Sequence, residues 1–113
     1  MMLFVMTAEY LGEPDGEMLA AHVAWLVPRF ASGDFLVSGG VPADAGRPVG
    51  ALAVIEAADR EAALAMLDDE PFHRAGLVRH DVVPFVPRVR AEGLDVRFTG
   101  PELLRVVRSE GEP

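Results

Sequence analysis

Residues 35–56 read FLVSGGVPADAGRPVGALAVIE. Phe35 to Ser38 is a short β-prone run that closes on Gly39-Gly40, and Pro42 to Pro48 has the Pro, Gly and Asp content of a loop. Val49 to Glu56, rich in Val, Ile, Leu and Ala, is a second strand. Joined as a long hairpin, the two strands run antiparallel. On the upstream side, Leu19, Val23, Leu26 and Phe30 recur at helical steps between Gly16 and Ser32. Asp15 is the expected cap of this helix, Glu17 suits its first turn, Gly33 stops it, and Pro28 should bend it. Further upstream, Met2 to Met6 has the length and apolarity of a buried strand. Downstream, Asp59 caps a second helix from Arg60 to about Asp69 with Ala63, Leu64 and Leu67 inward, and Pro71 ends it or opens a short extra turn. Leu77 to Val86 is a last strand, confined by Pro84 and Pro87 to a sheet edge or a bulge. The order β-α-β-β-α-β predicts an α+β, ferredoxin-like unit, one antiparallel sheet with both helices on one face. The uncovered face then needs a partner, and its half-apolar strands point to a homodimer.

Past this unit, Leu94, Val96 and Phe98 alternate with Asp95 and Arg97 like a half-buried strand. Gly100-Pro101-Glu102 can open a helix carrying Leu103, Leu104 and Val107 on one side. Residues 1–87 are therefore expected to form the domain and 88–113 an extension of it. A chain of 113 residues supports one core, not two. Its net charge of −8 disfavours nucleic acid and anionic lipid as partners. The absence of cysteine removes disulfides, thiolate catalysis and sulfur-ligated zinc, and fits the cytoplasm. The apolar start Met1 to Met6 is too short and too uncharged for a signal peptide, and no run approaches the roughly 20 residues that cross a bilayer.

Chemistry rests on few side chains. His22 lies at the margin of the first helix's apolar stripe, and Glu70 stands at the end of the second helix before Pro71. An imidazole and a carboxylate that meet in a pocket can move a proton near neutral pH. The plainer alternative is a packed histidine and a surface acid. His80 shares the parity of Val78 and Val82 and so faces either a pocket or an interface, whereas His73 is expected toward solvent after Phe72. Trp25 and Tyr10 could frame a flat ligand, although packing is the commoner role of such residues. Ser38 and the backbone at Gly39-Gly40 are candidate substrate contacts. His22, His73 and His80 lack ligand spacing, so no metal is expected, and Gly39-Gly40 lacks the surroundings of a nucleotide loop, so no cofactor is expected.

The start of strand one, the helical His22, Gly33 to Gly40, the Glu56 strand end, Glu70-Pro71-Phe72 with Ala75-Gly76-Leu77, and Val83-Pro84-Phe85 together resemble the YCII-related proteins over residues 1 to 87. The resemblance implies a dimeric α+β barrel whose pocket holds a His and an Asp as a catalytic dyad, matched here by His22 and Glu70. It further implies proton-transfer lyase or isomerase chemistry on a small cyclic, aromatic or polyketide-like substrate, as in a dehydrochlorinase of chlorinated hydroxyquinol or a muconolactone isomerase. In that scheme His22 is base and then acid, Glu70 orients it, and Ser38 or a backbone N–H at Gly40 steadies a developing enolate. The departure is Glu for Asp, which sets the carboxylate about 1.5 Å further from the backbone. The change keeps a second reading open, a non-catalytic dimeric module that binds a small ligand or a partner.

Overall fold

The computed structural model describes residues 1–92 and the backbone of residues 105–107. In chain order the elements are β1 (Met2–Tyr10), α1 (Gly16–Ser32), β2 (Phe35–Val41), β3 (Gly50–Ala57), α2 (Arg60–Leu67), α3 (Pro71–Arg74), β4 (Val78–Phe85), β5 (Val89–Ala91) and β6 (Arg105–Val107). The first four of these strands in the order β2-β3-β1-β4 make an antiparallel sheet, so the proline-bearing β4 lies at an edge, where Pro84 costs no more than an unpaired donor. This is the expected ferredoxin-like fold.

Local chemistry sets the ends of the helices. Asp15 accepts the Met18 N–H at 2.8 Å and Gly33, at φ 84°, closes α1 in the left-handed conformation. Asp59 caps α2 in the same way through the Ala62 N–H at 2.8 Å. Helix α2 stops at Leu67, two residues before the expected Asp69, because Pro71 opens the separate turn α3. Strand β1 runs beyond the apolar Met2–Met6 segment to Tyr10, since Ala8 and Tyr10 continue the inward row while Thr7 and Glu9 point away. Gly50 pairs with Glu9 where an added Cβ would lie 2.2 Å from the Ala8 carbonyl oxygen, an approach only glycine permits.

The core lies between the sheet and its helices, around Phe4, Met6, Ile55, Leu67, Phe72 and Val82. Two expectations are corrected. The apolar Leu19 and Val23 stay exposed, and Phe30 reaches the core only by its edge-on contact with Phe35 at 5.6 Å; Met18, His22, Trp25, Leu26 and Arg29 are the half-buried row. A helix with apolar residues on several sides does not declare which side is covered. Strand β2 passes through Gly39-Gly40 to Val41, and its register shifts between Phe35 and Val37, so that Phe35 pairs with Ile55 and Val37 with Val54. The bulge reverses the alternation and brings Ser38, rather than Val37, to the helix-covered side.

Arg105–Val107 is a strand paired in parallel with Val89–Ala91, which corrects the helix expected to include Val107. The strand expected over residues 94–98 and the helix start at Pro101 lie outside the described residues. Among the described residues, no helix is long and apolar enough to cross a membrane.

Candidate active site

Glu70 is the N-cap of α3, and Pro71 at the first helical position fixes the chain direction there. The cap places the carboxylate inside the protein, with the residue only 2% exposed. Its Oε2 accepts the His73 backbone N–H at 2.7 Å. Its Oε1 lies 2.5 Å from Nδ1 of His22, on the facing row of α1. With a carboxylate as acceptor, the neutral form of His22 carries its hydrogen on Nδ1 and has its lone pair on Nε2. Phe72 fixes the ring plane, stacked on the imidazole at 4.2 Å between centroids and 11° between planes. Burial raises the Glu70 pKa, but the hydrogen bond from His22, those from the backbone of His73 and Phe72, and the charge of His22 outweigh it, and the net shift is downward. Glu70 therefore stays ionised in a buried position.

Around this pair lies a cavity of about 40 Å³. Ser38, His80, Trp25 and Tyr10 border it together with His22 and Glu70. Trp25 stands edge-on to Phe35 at 5.6 Å with the Arg29 guanidinium 4.9 Å above its ring, and its buried Nε1 has no acceptor among the described residues. A larger cleft of about 460 Å³, bordered by Arg47, Leu19 and Pro14, shares only Tyr10 and Phe72 with the inner cavity. These two rings meet edge-on at 6.2 Å and border both spaces. The larger space thus lies beside the acid–base pair, not around it. Burial, and then the charge of Glu70, raise the Tyr10 pKa against the opposing pull of Arg47.

Residues 1–86 match the sequence pattern of the YCII-related domain. The chain belongs to the YCII-related family. Among solved structures, it is similar to 5-chloro-2-hydroxyhydroquinone dehydrochlorinase from Burkholderia phenoliruptrix, determined in complex with 2,5-dihydroxybenzoquinone. The two share 24% identity and superpose with a TM-score of 0.60 over 76% of this chain and 95% of the other, a likeness of fold. No curated protein sequence gives a significant match.

Set in this YCII-related frame, His22, Glu70, Ser38, Trp25 and His80 come together, and Gly40 does not. A Cβ on Gly40 would meet Pro48 at 3.2 Å, so this glycine serves close packing of the hairpin rather than the cavity. The extra methylene of Glu70 does not prevent contact with His22. His73, expected toward solvent, is instead half-buried with its ring against His80, centroids 5.4 Å apart. The available signal was the acid-Pro start of α3, which places the third residue after Glu70 over the cap. Among the described residues, no group of acidic or histidine side chains is arranged to hold a metal.

Proposed function

We propose that the protein is a cofactor-free lyase or isomerase that moves a proton on a small cyclic or aromatic substrate. The 2.5 Å contact between His22 Nδ1 and the buried Glu70 carboxylate carries this reading. Nε2 of His22 takes a proton from an acidic C–H or O–H, and Glu70 stabilises the imidazolium that forms. The bonding pair left on the substrate then either expels a leaving group, as in a lyase, or is reprotonated elsewhere, as in an isomerase. Ser38 and the Trp25 indole N–H are donors for the oxygen on which charge develops. A neighbour of the same fold that is a dehydrochlorinase of a hydroxyhydroquinone supports the substrate class.

The proposed assembly is a homodimer. Val37, Leu52, Val83 and Phe85 line the sheet face that carries no helix, and between 36% and 52% of each is exposed. A second copy would cover this face and complete an α+β barrel. Residues 1–87 are taken as the domain and 88–113 as its extension. The absence of cysteine and the charge of −8 favour a cytoplasmic protein with no nucleic-acid partner.

The exchange of the family's Asp for Glu70 favours a second reading, a ligand-binding module without turnover. Chloride release from 5-chloro-2-hydroxyhydroquinone separates the two. Release by the wild type that is lost in His22→Ala supports the enzyme. Saturable binding of 2,5-dihydroxybenzoquinone without release supports the module.

A further inference from the structure

The inner cavity contains a second histidine that the His22–Glu70 pair does not use. His80 enters from β4, where it pairs with Ala8 and so points to the helix-covered side. Its Nδ1 is 3.4 Å from Nδ1 of His73, the rings inclined by only 16°. The other nitrogen of His73, Nε2, faces Asp68 Oδ1 at 3.6 Å, and that carboxylate is 70% exposed. A half-buried imidazole at the cavity is thus linked to a carboxylate in water through one intervening ring.

The tautomers of this row follow from its exposed end. An ionised Asp68 can only accept, so it favours the hydrogen of neutral His73 on Nε2. Nδ1 of His73 is then an acceptor, which draws the hydrogen of His80 to its own Nδ1 and leaves the lone pair of His80 on Nε2. Burial holds the pKa of His80 below the usual histidine value; Glu70 pulls it upward, and His73 and His22 push it down. The titratable groups around it are Tyr10 on β1, His22 on α1, and Asp68, Glu70 and His73 on the α2–α3 segment. Arg79 and Asp81 flank it on β4 and alternate to the opposite face. A histidine in this setting is neutral near neutral pH and available as a base.

We propose that His80 is a second acid–base group of the cavity and that His73 and Asp68 conduct its proton to solvent. This rests on reading the cavity as a proton-transfer site. In the step, Nε2 of His80 takes a proton from a substrate C–H or O–H, whose bonding pair stays with the substrate. As that N–H bond forms, the Nδ1–H bond of His80 breaks and its proton passes to Nδ1 of His73. The Nε2 proton of His73 leaves to Asp68 and then to water. Both imidazoles end neutral with their hydrogens exchanged between ring nitrogens, and a proton returning along the same row restores the starting tautomers. His22 and His80 could thus serve the two ends of a proton shift without sharing one proton.

The test uses the full chain without substrate, ¹⁵N-labelled in its histidines, as wild type, His73→Phe and Asp68→Asn. Long-range ¹H–¹⁵N spectra should show neutral His80 as the Nδ1–H tautomer in the wild type. His73→Phe keeps a ring in place and should cause loss of that tautomer in favour of Nε2–H, with a partial shift in Asp68→Asn. Exchange of the His80 ring proton with water should be slower in both variants. A wild-type His80 with Nε2–H, a tautomer unchanged in His73→Phe, or equal exchange rates in all three proteins would overturn the proposal. Signals of His22 in the same spectra report the Glu70 contact independently, so failure of the row and failure of the main pair are distinguishable.

Discussion

The two faces of the sheet are made by alternate residues of the same strands, yet they end differently. Phe4, Met6 and Val82 face inward and are covered by helices of their own chain. Their neighbours Val5 and Val83 pair across the opposite face, together with Leu52, Phe85 and Val37, and that side remains open. The covered face is finished within one chain and contains the polar side chains that could do chemistry. The open face combines these apolar side chains with Thr7, Glu9, Arg79 and Asp81, which border a cleft of about 450 Å³. Period-two patterning therefore separates the helix-covered face from the open one within nine residues of β1.

If the covered face is the reacting one, His22→Ala should have the largest effect, a loss of about 10²–10⁴ in the rate of chloride release from 5-chloro-2-hydroxyhydroquinone. An unchanged rate would break the distinction. If the open face is the assembling one, Val83→Asp or Leu52→Asp should convert a dimer to monomer, read by sedimentation velocity at micromolar concentration. The covered face should keep its His22–Glu70 contact in that monomer. Replacing Glu70 by Leu removes both a cap and the acceptor for His22, and should cost about 1–3 kcal/mol in denaturant unfolding. Glu70→Asp keeps the charge and the capping chemistry and should cost less.

The smallest expected effect is on pH dependence, and both groups concerned lie on the covered face. Glu70 has a lowered pKa when folded, so its contribution is complete above its ordinary value of 4.5 and is lost as pH falls through the folded value. His80 is also lowered. The unfolded chain binds its proton first, so stability begins to fall as pH drops through the ordinary histidine value of 6.5. Thermal unfolding should weaken in two stages on acidification, and His80→Asn should remove the earlier stage.

Much of this was legible in the sequence because it depends on local chemistry. Asp15, Asp59 and Gly33 mark helix ends by their own side chains or lack of one, and the hairpin around Pro42–Pro48 sets the antiparallel pairing of β2 with β3. What was not legible depends on tertiary choice. The apolar Leu19, Val23 and Phe30 outweigh His22 and Arg29 in any helical pattern, yet the latter row faces the sheet. The bulge after Phe35 has no glycine or proline to announce it, and it decides that Ser38 reaches the cavity. For Glu70 the sequence leaves two readings, a partner of His22 or a surface acid, and the start of α3 on this residue decides its burial. The contact between His73 and His80 joins a helical turn to a strand and has no signature in spacing.

The most direct test of the central claim is the tautomer of His22, read from ring ¹⁵N shifts in the wild type and in Glu70→Leu. The wild type should show Nδ1–H, with the lone pair on Nε2, and Glu70→Leu should change it to Nε2–H. The same tautomer in both proteins would mean that Glu70 does not orient His22, and the proton-transfer pair would be contradicted.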